Sequence, residues 1–139
     1  MSMSDKGLNL LALREGRRKK AYKDTKGIWT IGVGHTGPEV VEGLVWTDAQ
    51  VDEALKQDIK IAERAIIANV KVFLTQNQFD ALCSFIFNVG VTAFSRSTLL
   101  KVLNVGNYTE AANQFDRWHI PPEITSRRNS ERDQFKGIV

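Results

Sequence analysis

A capping box at Thr47 and Gln50 opens the longest patterned stretch of the chain. Val51, Leu55, Ile59, Ala62 and Ile66 then recur at helical spacing, which predicts an amphipathic helix running to about residue 69. A helix of that length divides a 139-residue chain into an N-terminal and a C-terminal part. The length is that of one domain, enough for one core or for one core pinched into two lobes.

The C-terminal part is helical throughout. Thr75 and Gln78 form a second capping box. The helix behind it carries Phe79, Leu82, Cys83, Phe85, Ile86 and Phe87, is apolar almost all round, and so belongs at the centre of the core. Asn88-Val89-Gly90 ends it. Two shorter helices are predicted near 97–105, stopped by Gly106, and near 108–118. Pro121-Pro122 breaks the chain before a last helix at 125–136.

The N-terminal part is mixed. Residues 4–15 read as a short helix capped by Ser4, with Leu8, Leu11 and Ala12 on one face and Gly16 just past its end. Tyr22, Trp29, Thr30, Ile31 and Val33 favour strands, and Asp24-Thr25-Lys26-Gly27 is a turn signal. Residues 21–35 therefore read as a β-hairpin or three short strands. Alternation sends Trp29, Ile31 and Val33 to a core face. Ile28, Thr30, Gly32 and Gly34 go to a small, nearly bare face where a bulky ligand can approach the backbone. Residues 36–46 read as a loop. The fold class is α+β, mostly helical and two-lobed. A small lobe spans about 14–46, a connecting helix about 47–69, and a helical lobe about 70–139 with helix 4–13 packed on it. Ligands favour the groove between two lobes.

Composition narrows the function. Hydrophobic residues make up 42% and charged residues 25%, which is ordinary for a globular protein and argues against disorder. Cys83 is the single cysteine, in an apolar run, and calls for no oxidising compartment. The N-terminus lacks the signal-peptide pattern and no segment has the apolar length of a membrane span, so no stable membrane insertion is expected. Net charge is +3, with Arg17-Arg18-Lys19-Lys20 as the densest basic run. That run suits a solvated face or a funnel for an anionic substrate. No aromatic interleaving supports nucleic-acid binding.

The chemistry is carried by carboxylates. His35, His119 and Cys83 show no metal-ligand spacing, and nucleotide-binding glycine motifs and a serine-nucleophile elbow are missing, so no metal or cofactor is expected. Cleaving a glycosidic bond needs one group to protonate the leaving oxygen and another to serve the opposite face of the sugar. Glu15 sits at a helix C-terminus, whose partial negative charge favours the protonated acid, while Arg14, Arg17 and Arg18 pull the other way. Asp24, in a turn, should stay ionised. Thr30 has a hydroxyl suited to holding a water. The same residues also have plain structural readings: Glu15 as a helix-end ion pair, Asp24 as a turn former, Thr30 as a strand residue and His35 as a structural histidine.

The stretch Glu15-Gly16, Asp24, Thr30-Ile31-Gly32-Val33-Gly34-His35 strongly resembles the signature of the phage-type lysozymes, the endolysins of glycoside hydrolase family 24. The resemblance continues through Gln78 to Gly90, Ala93 to Asn104, Trp118, and Arg127 to Glu131, and so covers nearly the whole chain. It implies a muramidase that cuts the β-1,4 bond between N-acetylmuramic acid and N-acetylglucosamine in peptidoglycan, for host lysis and phage release. Residue by residue it implies Glu15 as general acid, Asp24 as base or charge stabiliser, and Thr30 as the holder of the attacking water. Inversion would result, with carboxyl groups about 6.5–9.5 Å apart. Phe87 and Asn88, with Gly34, would meet the sugar. His35 would tie the small lobe together through a carboxylate. Arg127 or Arg128 would pair with the acid. The family commonly has Gly-Leu-Val before these arginines where this chain has Pro121-Pro122-Glu123, which puts that pairing in doubt. The resemblance further implies a monomer stored in the host cytoplasm until a holin releases it onto periplasmic peptidoglycan. A lytic transglycosylase would cut the same bond with one acid and no water. A silent wall-binding module or a basic nucleic-acid binder would need neither carboxylate.

Overall fold

The computed structural model describes residues 1–138. Its elements run α1 (Asp5–Glu15), β1 (Arg18–Lys23), β2 (Trp29–Gly32), α2 (Asp48–Asn69), α3 (Gln76–Val89), α4 (Val91–Ser95), α5 (Thr98–Asn104), α6 (Tyr108–Gln114) and α7 (Thr125–Phe135). Single 3-10 turns lie at Phe115–Arg117 and Pro122–Ile124. The chain is α+β and mostly helical, as its patterning predicts. It divides into two compact units: Asn9–Lys60, and Met1–Leu8 with the chain from Ile61 onward. The division runs through α1 and α2, so neither helix belongs wholly to one unit.

In the unit Asn9–Lys60, β1 and β2 pair antiparallel through Tyr22↔Thr30 and Lys23↔Trp29, with a shift of register between Arg18 and Tyr22. The basic run Arg17 to Lys20 thus leads into a strand. The chain reverses again across Gly32, Val33 and Gly34, where Ile31 and His35 exchange both backbone hydrogen bonds at 2.9 Å. Gly32 and Gly34 take φ of 67° and 63°, a conformation that side chains with a Cβ resist. The segment 36–46 is not a simple loop. Trp46 donates its N–H to Lys19 O at 2.7 Å, and Ala21 donates to Leu44 O at 2.9 Å. These bonds reduce a third strand to an isolated bridge, Lys20↔Val45. Ala21, Ile31 and Val40 form the centre of the hairpin core, covered by Trp29, Leu44 and Trp46. The expected bare face is therefore a correction. Thr30 is only 4% exposed. A Cβ on Gly32 would stand 3.3 Å from the Trp46 ring and 3.5 Å from Val51. Residues far along the chain fill the space that strand alternation left open.

His35 stitches this unit together. Its Nδ1 lies 2.7 Å from Asp58 Oδ2 and its Nε2 lies 2.7 Å from Glu39 Oε1. Ionised carboxylates only accept, so both contacts are complete when both ring nitrogens carry hydrogen, as in the imidazolium. Burial opposes that charge, but the hydrogen bonds and charges of Glu39 and Asp58 outweigh it and raise the His35 pKa. The hydrogen bond from His35 in turn holds Glu39 below its ordinary value. The ring also packs against Trp46, centroids 5.2 Å apart.

In the other unit, both the helix-start signals and the buried stripe behave as the sequence predicts. Thr75 Oγ1 accepts from Gln78 N at 3.1 Å, and Gln78 Oε1 accepts from Thr75 N at 2.9 Å. Ala62 and Ile66 continue the stripe of α2 into this core. Phe79, Leu82, Cys83, Phe85 and Ile86 on α3 are all buried, and burial pushes the Cys83 thiol far up. Phe85 meets Phe115 and Trp118 edge-on, each at 5.3 Å between centroids. Two details differ from expectation. The predicted helix 108–118 is α6 with a 3-10 turn behind it, and α4 has no counterpart in the sequence pattern. Five residues behind Gly90, with no side-chain cap, give too short a period to detect.

α7 packs on α3 through polar side chains. Arg128 and Glu131 are both 0% exposed. Glu131 accepts from Arg128 Nη1, from Arg127 Nε at 3.1 Å and from Ser84 Oγ at 2.5 Å. Arg128 also donates to Trp118 O at 2.7 Å and to Asn88 Oδ1. Burial pulls the Arg127 pKa down, opposed by the Glu131 charge. One buried carboxylate thus pairs with both guanidiniums.

Both ionic clusters can be tested. Glu131→Gln removes the carboxylate partner of the fully buried Arg128 and lowers stability by about 3–5 kcal/mol, measured as a fall in the urea midpoint. The His35 contribution has the opposite sign with pH from that of a paired carboxylate. A pKa raised on folding stabilises fully below the unfolded value and is lost as pH climbs through the folded value. Wild-type stability therefore declines from about pH 6.5 upward, through the raised value. His35→Asn abolishes that slope, read from urea midpoints across the same interval.

Candidate active site

Glu15 is the last residue of α1. The helix stops there because Gly16 comes next at φ 82°, its N–H still bonded to Ala12 O at 2.8 Å. The Glu15 side chain is half-buried. Asp24 opens the β1–β2 turn. Its Oδ1 accepts from Lys26 N at 2.8 Å and Ile28 N at 2.9 Å. Among the described residues Oδ2 takes no hydrogen bond, so one oxygen builds the turn and the other is available. Thr30, paired with Tyr22, donates its hydroxyl to Ile28 O at 2.9 Å. Its proton is therefore committed, and the oxygen has lone pairs left to accept with. Gly34 is half-buried in the tight reversal two residues past β2. Glu15, Asp24, Thr30, Gly34 and His35 all fall within the unit Asn9–Lys60.

Phe87, Asn88, Arg127 and Arg128 fall in the other unit. Phe87 is half-buried at the end of α3, and Asn88 beside it is exposed. A guanidinium only donates, so Asn88 turns Oδ1 to Arg128, and its Nδ2 has no partner among the described residues. Arg128 donates one hydrogen bond from each of its three nitrogens, to Trp118 O, Glu131 and Asn88. Arg127 donates from Nη2 to Ser84 O at 2.9 Å and from Nε to Glu131. The proline segment enters α7 through one 3-10 turn, Pro122–Ile124.

Several supporting residues carry little or no signal in the sequence. Asp58 and Glu39 hold His35, and only Glu39, four residues on, lies within reach of a sequence argument. Glu131 stands three and four residues after the two arginines, a spacing that signals a helical ion pair but not its burial. Asp48 and Asp52 pair with Arg17 at 3.1 and 2.8 Å, and Asp48 with Lys19 at 3.2 Å. The hydrogen bonds to these two carboxylates hold the Arg17 pKa above its ordinary value. Among the described residues, no group of three or more His, Cys, Asp and Glu side chains is arranged to hold a metal ion.

Comparison with known proteins identifies the family. The endolysin of Salmonella phage P22 is 46% identical over 143 residues, covering 97% of this chain and 98% of that protein. The solved endolysin from Escherichia coli O157:H7 phage FAHEc1 superposes with a TM-score of 0.94 at 33% identity, covering 100% of this chain and 96% of that one. The muramidase domain of SpmX from Asticaccaulis excentricus does so with a TM-score of 0.87 at 38% identity, over 96% and 97%. The Phage lysozyme family matches residues 12–131, a span that holds Glu15, Asp24 and Thr30, and the chain belongs to that family.

Proposed function

We propose that this protein is a peptidoglycan muramidase, hydrolysing the β-1,4 bond between N-acetylmuramic acid and N-acetylglucosamine in host lysis. One observation carries the reading. The unbroken series Glu15-Gly16, Asp24, Thr30-Ile31-Gly32-Val33-Gly34-His35 lies inside the family's matched span and within one compact unit.

In this reading Glu15 gives its proton to the glycosidic oxygen as the bond from the anomeric carbon breaks. Asp24 takes a proton from a water through the oxygen that the turn does not use. Thr30 accepts a hydrogen bond from that water and steadies its oxygen toward the anomeric carbon. The water attacks the face opposite the leaving sugar, so the configuration inverts, and room for it requires carboxyl groups about 6.5–9.5 Å apart. Phe87 offers an apolar surface to the sugar, Asn88 an amide donor, and Gly34 close backbone approach. Arg127 and Arg128 act in support, and Arg128 does so by orienting Asn88. The chain acts as a monomer without cofactor. It waits in the host cytoplasm until a holin opens the way to periplasmic peptidoglycan. Among the described residues no helix is long and apolar enough to cross a membrane.

The deciding experiment is mass spectrometry of products from purified peptidoglycan. Wild type should release muropeptides with free reducing ends, and Glu15→Gln should lower that rate by roughly 10²–10⁴-fold. Anhydro products would instead identify a lytic transglycosylase and retire the water-holding roles of Asp24 and Thr30. No soluble products from either protein would favour a wall-binding module. Asp24→Asn separates fold from chemistry, because an amide oxygen can accept the two turn hydrogen bonds. Its unfolding midpoint should stay near wild type while activity falls roughly 10²–10⁴-fold.

A further inference from the structure

Six cations lie between Arg17 and Lys26, and Asp24 is the single acid among them. The six are not equivalent. Arg17 and Lys19 are neutralised by Asp48 and Asp52. Arg18, Lys20, Lys23 and Lys26 are exposed and have no carboxylate partner among the described residues. Two of these four are held in place by aromatic rings. The Arg18 guanidinium lies 4.5 Å from the Tyr22 ring centre, and the Lys23 ammonium lies 5.4 Å from that of Trp29. Both rings belong to the paired strands, Tyr22 opposite Thr30 and Trp29 opposite Lys23. The cations are thus steadied without being discharged, which lowers the ordering cost of binding an anion. Lys23 and Lys26 flank Asp24 in the turn it builds.

We propose that Arg18, Lys20, Lys23 and Lys26 form a docking strip for the carboxylates of the peptide stems that branch from the glycan. The inference rests on peptidoglycan being the substrate. Where a stem is attached, the muramic lactyl carboxyl is tied up in an amide and both sugars are uncharged, so along a stem-bearing strand the stems carry the negative charge. Three of the four cations are lysines. These act as point charges and do not demand a fixed geometry, which suits flexible peptide carboxylates better than a single rigid anion. Exposed charges attract over about a Debye length, roughly 10 Å at 0.1 M salt, so the strip gathers strands onto the hairpin that carries Asp24.

The test uses soluble glycan strands with stems and bare strands, from which an amidase has removed the stems and whose newly exposed muramic lactyl carboxylates have been capped as methylamides. A variant with Gln at Arg18, Lys20, Lys23 and Lys26 is compared with one carrying Gln at Lys56, Lys71, Lys101 and Lys136, which loses the same charge elsewhere. On stem-bearing strands at low salt, the strip variant should raise KM roughly three- to tenfold with kcat unchanged. The rise should vanish at high salt and on bare strands. The double variant Lys20→Gln/Lys26→Gln, which disturbs neither aromatic contact, should show a smaller rise and decides the matter if the full variant does not fold. With wild type active, an unchanged KM, an equal rise on bare strands or an equal rise in the control variant overturns the docking strip alone. A wild type that releases no reducing ends from either strand overturns the muramidase reading and this one with it.

Discussion

The carboxylate of Glu131 is the point on which the helical unit turns. It lies wholly out of water between α3 and α7 and accepts from Ser84, Arg127 and Arg128. A buried charge is costly unless its partners are complete. Here the partners bring further groups with them: Arg128 reaches on to the Trp118 carbonyl and to Asn88, and its guanidinium lies 5.2 Å from the Phe85 ring centre. The last helix therefore docks by satisfying charge rather than by an apolar stripe. That fixes its rotation and position more sharply than an oily face would, since a small slip would strand a guanidinium or a carboxylate. The same network sets the orientation of the exposed Asn88 amide.

The hairpin unit solves a different problem. Its apolar centre is small, and two reversals must be made within a few residues. Glycines supply the backbone freedom at Gly32 and Gly34, and Trp46 and Val51 cover the space that a residue without a Cβ leaves. Charge then does what a larger core would do elsewhere. His35 joins the loop at Glu39 to α2 at Asp58, while Arg17 and Lys19 join the start of β1 to Asp48 and Asp52. Asp48 sits in the first turn of α2, where the helix dipole favours a carboxylate, and Asp52 follows one turn later.

This division explains which features are legible in the sequence and which are not. The two capping boxes, the stripe from Val51 to Ile66 and the Asp24 turn are local, set by spacings of a few residues, and all appear in the structure. The cover over Gly32 is not local, because Trp46 arrives from fourteen residues away. α7 misleads for a further reason. Thr125-Ser126-Arg127-Arg128-Asn129-Ser130-Glu131 looks like a helix for water, yet Arg128 and Glu131 are the two most deeply buried of those residues. Hydrophobic pattern reports burial only when burial is driven by apolar area, and here it is driven by paired charge.

Asp24 shows how a residue's structural duty can be separated from its chemical one. The turn needs an oxygen that accepts from Lys26 N and Ile28 N, and Oδ1 meets that need. Asparagine would serve equally, and it tolerates turn geometry as well as aspartate does. Folding alone therefore does not account for a second, unbonded oxygen bearing negative charge. Nor does pairing, since Lys23 and Lys26 beside it form no ion pair with it among the described residues. In the proposed mechanism that second oxygen is the base, fixed in place by its partner oxygen and open to a water. Thr30 has the same division. Its hydroxyl proton serves the Ile28 carbonyl, and its oxygen is left to accept from a water. In both side chains one atom is held by the fold, and lone pairs remain that can accept a further hydrogen bond.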